Sequence, residues 1–162
     1  SFTCSVVRRL AHETQGSLQV NGIEFRLNAD PGLVCDVDPE KFQLVLNNLI
    51  SNAVNYSNGC GPVDIEVRSC TADTLPCAQI RVRDRGIGMR RDELSRAFDR
   101  FWRASSARPG TGLGLTLVKE IVEKHRGKIM LESGGKDLGT TAIVVLPLAH
   151  VTVIQESPPL PA

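Results

Sequence analysis

The sequence predicts an α/β fold in which a mixed, largely antiparallel sheet is covered on one face by three main helices. The first observation is helical periodicity, because apolar residues recur at the i, i+3, i+4, i+7 spacing in residues 38–56 and in residues 90–101. A third helix is predicted through Glu123, with Leu117, Val118, Ile121 and Val122 as its apolar residues. The second is the alternation of apolar and polar residues that is typical of half-buried strands. The strands predicted in this way are residues 23–28, 63–68, 80–83, 128–132 and 140–146.

The length and composition are those of one globular domain. At 162 residues, 41% hydrophobic and 23% charged, the chain can bury one substantial core, and no apolar run approaches the roughly 20 residues that cross a bilayer. A formal net charge of +1 argues against nucleic-acid binding through bulk electrostatics. Five widely spaced cysteines predict reduced thiols of a cytosolic domain rather than a disulfide or zinc scaffold. We expect a domain over residues 1–150 and a flexible, Pro-rich tail over residues 151–162.

The stretch 38–56 predicts a helix with well-defined ends. Asp38 can cap free N–H groups, Pro39 suits the first turn, and Glu40 favours the positive end of the helix dipole. The apolar residues of this stretch fall on one face, which predicts that this face is buried. They are Phe42, Val45, Leu46, Leu49, Ile50 and Ala53.

Three asparagines flank that apolar face. At roughly 100° per residue, Asn48, Asn52 and Asn55 lie within an arc of about 60° beside it. One interpretation is a solvated helix flank. The other is a row of neutral oxygen ligands that face a cleft and suit a magnesium ion already bound to polyanionic phosphates.

Two glycine-containing motifs come later in the chain. Asp84 ends a predicted strand and is followed by Gly86 and Gly88, which places a fixed acid beside backbone that a ligand can approach closely, although a plain turn explains the same residues. Residues 110–115, GTGLGL, open a helix, where backbone N–H groups can converge on an anion. They match neither the Walker A nor the dinucleotide-binding spacing.

The remaining segments predict supporting structure. Residues 2–15 predict a short helix with an exposed His12, and residues 102–110 predict an exposed, mobile segment. His125 near the end of the last helix is expected to be structural. Three arginines are expected to form a solvated face: Arg85, Arg90 and Arg91.

Taken in order, these motifs resemble the ATP-binding catalytic domain of sensor histidine kinases. That domain belongs to the GHKL superfamily, with the Bergerat-type fold that it shares with gyrase-type topoisomerases, the heat-shock chaperone ATPase and MutL. The similarity covers residues 2–148 and consists of an N box (NLISNAVNYS), a first glycine box (DRGIG), an F box (FDRFWR), a second glycine box (GTGLGL) and a closing GTTAIVVLPL. It implies a two-layer sandwich, with the nucleotide between a helix layer and a mobile ATP lid.

The resemblance implies roles for the matching residues. Asn52 would coordinate magnesium, and Asn48, one turn earlier, would support the triphosphate. Asp84 would accept a hydrogen bond from the adenine amino group, with Gly88 and Thr140 close to the same base edge.

Further positions complete the implied ATP site. Tyr56 would lie against the nucleotide, and Arg103, just beyond the F box, would reach toward the terminal phosphates and act in catalysis together with Asn52. The lid hinge and the start of the phosphate-binding helix would be Gly110, Thr111, Gly112, Leu113, Gly114 and Leu115. Asn55 and Gly86 belong to the same implied ATP-binding set.

Two departures from the family pattern bear on activity. Asn55 stands where the family usually has a lysine, so one positive charge near the phosphates is missing, and weaker ATP binding or more reliance on Arg103 is our hypothesis. Asn48 stands where hydrolytic members have a glutamate base. Because an amide cannot deprotonate water, we expect ATP to be held for transfer and hydrolysed poorly.

The function implied is transfer of the γ-phosphoryl group of Mg²⁺-bound ATP to a histidine in two-component signal transduction. That histidine is expected on a dimerisation and phosphoacceptor hairpin that precedes Ser1, and a response regulator receiver domain is the expected further partner. We expect no nucleic-acid or membrane contact by this fragment, a monomer, and a cytoplasmic location, either free or as part of a membrane-bound sensor. The alternatives are an anti-sigma-type serine kinase, a hydrolytic ATPase, or a degenerate nucleotide-sensing module that lacks catalysis.

Overall fold

A computed structural model describes residues 4–5, 17–20, 22–102 and 114–149. The helices within these residues are α1 (Pro39–Tyr56), α2 (Arg91–Arg96) and α3 (Gly114–Lys124). The strands are β1 (Cys4–Ser5), β2 (Ser17–Val20), β3 (Ile23–Ala29), β4 (Val34–Cys35), β5 (Val63–Ala72), β6 (Leu75–Arg83), β7 (Lys128–Glu132) and β8 (Thr141–Pro147).

Six of the described strands form one mixed sheet in the order β2-β3-β5-β6-β8-β7. Only the β3–β5 pair in this sheet is parallel among the described strands, and the other neighbours are antiparallel. A second, two-stranded sheet pairs β1 with β4. The predicted mixed, largely antiparallel α/β fold is therefore confirmed.

The core lies between the helices and one face of the large sheet. Alternation along β5 buries Val63, Ile65 and Val67 and leaves Asp64 and Glu66 on the other face. The buried sheet residues form one cluster with the apolar faces of α1 and α3. In α1 this face consists of Phe42, Val45, Leu46, Leu49 and Ala53, and in α3 of Val118, Ile121 and Val122. Burial of this face stabilises α1 far more than helix propensity does.

The start of α1 is capped as its sequence predicts. The Oδ1 atom of Asp38 accepts a hydrogen bond of 2.9 Å from the backbone N–H of Glu40, and Pro39 occupies the first turn. His125, at the end of α3, supports the same corner. Its Nε2 accepts from the Asp38 N–H at 3.4 Å, and its Nδ1 donates to the Ile121 carbonyl oxygen at 2.7 Å, in agreement with the structural role expected for it.

Several local predictions are wrong. Cys4–Ser5 is a strand, not part of a helix, and the rest of the helix predicted over residues 2–15 lies outside the described residues. Strand β2 was not predicted. The strands predicted over residues 63–68 and 80–83 extend further toward each other, so that only Asp73 and Thr74, both with positive φ, separate β5 from β6.

The helix predicted over residues 90–101 ends at Arg96. The residues beyond it form turns, one of which is closed by a hydrogen bond from the Asp99 N–H to the Arg96 carbonyl oxygen. Phe101 has a φ of 63° and is 69% exposed, so it neither continues the helix nor joins the core. Apolar spacing alone therefore overextended α2.

Candidate nucleotide-binding site

A cavity between α1 and the large sheet brings together residues that are distant in the sequence. It is lined by Leu49, Asn52, Ala53, Tyr56, Val82, Asp84, Met89, Leu115, Leu131, Thr140 and Ala142. Five of the residues predicted for the site are among them, namely Asn52, Tyr56, Asp84, Leu115 and Thr140. Because these five come from the helix layer and from strand ends on the facing sheet, only the folded chain can assemble them.

Asp84 is the one buried carboxylate among the described residues. It follows the last residue of β6 and is 6% exposed. Its Oδ1 atom accepts hydrogen bonds from the backbone N–H groups of Gly86 at 3.0 Å and Thr140 at 3.1 Å. No described residue donates to its other oxygen, Oδ2. The side chain is thus fixed in orientation while one acceptor atom stays open to a ligand.

The environment of Asp84 has opposing effects on its charge. Burial raises the pKa of this carboxyl group above its ordinary value of 3.8, and the two backbone N–H donors partly offset that rise by lowering the pKa. The net shift is upward. A buried carboxylate with an open oxygen costs desolvation energy, which a ligand that donates a hydrogen bond would recover.

Close backbone contacts explain both glycines of the DRGIG motif. A Cβ atom on Gly86 would collide with the Tyr56 carbonyl oxygen at the end of α1, and one on Gly88, which has a φ of +66°, would collide with the Gly135 carbonyl oxygen. These glycines do not line the cavity themselves. They allow the segment after Asp84 to pack tightly between α1 and the loop after β7.

The three asparagines of α1 do not occupy equivalent positions. Asn52 is half-buried and lines the cavity. Asn48 and Asn55 are also half-buried, on the same flank, but are not lining residues. The Asn48 Nδ2 donates to the Leu44 carbonyl oxygen at 2.7 Å, which turns its Oδ1 toward the start of α3, where it lies 2.7 Å from the position of a Cβ on Gly114.

The rest of the predicted site is only partly described. Arg103, Gly110, Thr111, Gly112 and Leu113 lie outside the described residues. Gly114 and Leu115 form the first turn of α3, as predicted. Thr116 ties that turn to the F box, because its Oγ1 donates to the Phe98 carbonyl oxygen at 3.0 Å.

Other features of the site escaped the sequence argument. Met89, Leu131 and Ala142 line the cavity, but their periodicity identifies them only as apolar residues. Arg85 was assigned to a solvated face, which is wrong. Its guanidinium pairs with the Asp64 carboxylate at 2.6 Å and donates to the Pro62 carbonyl oxygen, so it fastens the segment after β6 to the start of β5.

Comparison with known proteins identifies the family. Residues 37–150 match the family described as histidine kinase-, DNA gyrase B- and HSP90-like ATPase. The chain belongs to this family. It is 40% identical over 116 residues to the sensor protein kinase WalK of Staphylococcus saprophyticus, covering 69% of this chain and 18% of that protein. It is also 40% identical over 131 residues to the sensor histidine kinase WalK of Bacillus subtilis, covering 77% of this chain and 21% of that protein.

Solved structures agree with this assignment. The mycobacterial sensor histidine kinase MprB superposes with a TM-score of 0.64 at 27% identity, over 88% of this chain and 89% of that chain. The catalytic domain of the histidine kinase ThkA gives a TM-score of 0.61 at 26% identity, over 77% of this chain and 78% of that chain. The resemblance to the ATP-binding catalytic domain of sensor histidine kinases is therefore confirmed. The chain spans about a fifth of the length of the WalK proteins.

None of the helices in the described part of the chain has the length and apolarity needed to cross a bilayer.

Proposed function

We propose that this domain binds ATP with Mg²⁺ and donates the γ-phosphoryl group to a histidine on a separate dimerisation and phosphoacceptor domain in two-component signalling. The observation that carries the proposal is the cavity itself, because Asn52 on α1 and Asp84 after β6 line the same space. Family membership supports ATP as the nucleotide.

The base would bind at the Asp84 end of the cavity. Since Oδ1 already accepts two backbone N–H groups, the open Oδ2 requires a donor, and the exocyclic amino group of adenine supplies one. Guanine presents a carbonyl oxygen at the corresponding position, which would face a carboxylate oxygen without a shared proton. The apolar side chains of Met89 and Leu131 suit the faces of a purine ring.

The phosphates would extend toward Asn52 and the start of α3. Described residues include no cluster of three or more His, Cys, Asp or Glu side chains that could hold a metal ion by themselves. A neutral amide oxygen from Asn52 fits a Mg²⁺ ion whose other ligands are phosphate oxygens and water. When bound, Mg²⁺ would neutralise charge on the phosphates. The N–H groups at the start of α3 offer a further anion-binding element, beside Asn48.

Transfer to histidine is favoured over hydrolysis by the chemistry of α1. Phosphoryl transfer depends mainly on positioning and charge neutralisation. Asn48 orients its amide through Leu44 and cannot act as a general base toward water. We propose Arg103, just beyond the F box, as the cation that reaches the terminal phosphates.

The decisive experiment is ATP affinity measured by calorimetry with and without Mg²⁺, for the wild type and for Asn52→Ala. We expect tighter binding with Mg²⁺ in the wild type and loss of that Mg²⁺ dependence in Asn52→Ala. Asn47→Ala is the matched control, because Asn47 is exposed on the same helix and its Oδ1 accepts from Gln43. Equal Mg²⁺ dependence in all three proteins would refute the assignment of Asn52.

Phosphotransfer is tested separately. Labelled ATP is added together with a histidine-bearing hairpin from a related kinase, and the product is treated with acid. An acid-labile product supports a phosphohistidine, whereas an acid-stable product would identify a serine kinase instead.

A second candidate is a nucleotide-sensing module without catalysis. It is favoured by Asn55, which replaces the usual lysine of the N box. This candidate predicts ATP binding that does not depend on Mg²⁺ and no labelled hairpin, so the same two experiments separate it from the kinase.

A further inference from the structure

The loop between β7 and β8 packs against the segment that follows Asp84. The backbone N–H groups of Asp137 and Gly139 donate to the carbonyl oxygens of Ile87 at 2.8 Å and Gly86 at 3.1 Å, respectively. These bonds join residues that are about 50 positions apart in the sequence. The loop therefore holds in place the segment that directly follows the buried carboxylate of Asp84.

Ser133 connects the two segments through its hydroxyl group. Its Oγ donates to the Gly139 carbonyl oxygen at 2.6 Å and accepts from the backbone N–H groups of Met89 at 3.0 Å and Gly135 at 3.2 Å. One donor and two acceptor positions are the full capacity of a hydroxyl group. Removing it would leave two N–H groups and one carbonyl group without these partners.

Two of the groups bonded to the Ser133 hydroxyl belong to Gly139 and Met89, which are next to or part of the cavity lining. Gly139 precedes Thr140, whose N–H orients Oδ1 of Asp84 and whose carbonyl oxygen accepts from the Asp84 N–H at 3.0 Å. Met89 lines the cavity directly. Ser133 itself is not a lining residue, so its hydroxyl can influence a ligand only through these neighbours.

We infer that Ser133 is a positioning residue for base recognition: its hydroxyl holds Thr140 and Met89 so that the open oxygen of Asp84 is aimed at the amino group of adenine. This inference rests on the proposed function, because it assumes that Asp84 receives that amino group. It adds a determinant of nucleotide specificity that has no contact with the nucleotide.

The sharpest test compares Ser133→Thr with Ser133→Val. Both variants add the same branched bulk to a half-buried position, but only threonine keeps the hydroxyl. Binding of ATP and of inosine triphosphate, in which a carbonyl oxygen replaces the amino group, is measured by calorimetry for both proteins. Relative to threonine, valine is expected to weaken ATP binding about tenfold and inosine triphosphate binding by less than about twofold.

Controls address folding. Ser95→Ala removes an exposed hydroxyl that donates to the Asp92 carbonyl oxygen on α2, and it should leave both affinities unchanged. If Ser133→Val fails to fold, Ser133→Ala replaces it as the variant without a hydroxyl, because alanine adds no bulk. Thermal melting checks each variant before binding is measured.

The outcomes separate this inference from the proposed function. If the wild type does not bind ATP, the proposed function fails. Two outcomes would overturn the positioning role of Ser133 and leave the proposed function standing, provided that the wild type binds ATP. In the first, Ser133→Val and Ser133→Thr bind ATP equally well. In the second, Ser133→Val weakens the binding of ATP and of inosine triphosphate by the same factor. Failure of both Ser133→Val and Ser133→Ala to fold would make Ser133 a purely structural residue and would also overturn the inference.

Discussion

The backbone N–H of Ile87 donates a hydrogen bond of 2.9 Å to the carbonyl oxygen of Tyr56. Tyr56 is the last residue of α1, the helix that carries the three asparagines. The bond therefore joins this helix to the glycine-containing turn that follows Asp84. Because Tyr56 is at the end of the helix, its carbonyl is free of an intrahelical partner and can accept this bond. This backbone contact thus joins the two segments that would bind the metal and the base in the proposed site.

Gly86→Ala should break this contact. A Cβ at this position would collide with the Tyr56 carbonyl oxygen, which cannot move without disturbing α1. We expect destabilisation of about 1–3 kcal/mol, the usual cost of overpacking, together with at least about tenfold weaker ATP binding. Chemical denaturation and calorimetry measure the two effects.

Gly134→Ala is the matched control for that substitution. The three atoms nearest to its Cβ would all belong to the side chain of Leu138, an exposed residue that can shift more easily than a backbone carbonyl group. It should therefore leave ATP affinity unchanged. Equal losses in both variants would contradict the proposed role of this contact.

Local sequence signals predicted the parts of the site that lie within single elements. The Asp38 cap follows from the preference of aspartate for helix N-termini, and the apolar face of α1 follows from helical periodicity. The position of Asp84 at the end of β6 follows from strand alternation, but its role in the site was implied only by the family resemblance. The role of Ser133 could not be predicted in this way. Its hydroxyl meets the Met89 N–H across 44 residues of sequence, and that contact depends on the order of strands in the sheet.

The errors at α2 and β2 have related causes. Phe101 continues the apolar spacing of α2, yet the helix ends at Arg96 and the positive φ of Phe101 is not a helical conformation. Strand β2 is defined by its pairing with β3, in which Val20 lies opposite Ile23. Pairing and backbone conformation are properties of the folded chain, and single-residue preferences do not determine them.

Asp84→Asn should separate ligand binding from stability. The asparagine Oδ1 can still accept from Gly86 and Thr140, but its amino group would then occupy the open side and face the amino group of adenine, donor against donor. ATP binding should weaken at least about tenfold, as measured by calorimetry. Asp92→Asn, an exposed carboxylate on α2, is the control.

The raised pKa of Asp84 fixes the sign of the pH effects. A carboxyl group whose pKa is higher in the folded state than in the unfolded state stabilises the fold when it is protonated. For Asp84 this contribution is fully present below pH 3.8, the ordinary pKa, and it is lost as the pH rises through the folded-state pKa. At neutral pH the ionised Asp84 therefore destabilises the nucleotide-free protein, and Asp84→Asn should not lower its free energy of unfolding. ATP binding to the wild type should weaken on acidification at a pH above 3.8, where the carboxylate becomes protonated. A large loss of stability at neutral pH in Asp84→Asn would contradict this account.

His125→Ala should affect stability without affecting the nucleotide. Because the Asp38 N–H can only donate to Nε2, the ring carries its proton on Nδ1 and bonds the Ile121 carbonyl oxygen, so it joins the end of α3 to the start of α1. We expect a loss of about 1 kcal/mol in urea denaturation. The ATP affinity should be unchanged, since the 18 residues of α1 place this corner about 27 Å from Tyr56. Reduced ATP affinity at unchanged stability would assign His125 to the site instead.

Asn55→Lys tests the most unusual residue of the N box. Asn55 is half-buried on the flank of α1 that carries Asn52, and a lysine there would restore a positive charge near the proposed phosphate position. A long side chain can bring its ammonium group out to water along this flank, so the fold should tolerate it. ATP affinity should rise severalfold, since a partly exposed charge pair contributes up to about 1 kcal/mol, and the gain should shrink as ionic strength rises.

Asn47→Lys distinguishes a local charge from a change in net charge. It adds the same charge to the same helix at an exposed position that lies outside the arc of Asn48, Asn52 and Asn55. If Asn55→Lys strengthens ATP binding and Asn47→Lys does not, the added ammonium group acts on the bound phosphates. If neither variant binds ATP more tightly, the asparagine at position 55 does not limit affinity, and a cation elsewhere, with Arg103 as the first candidate, must supply the charge.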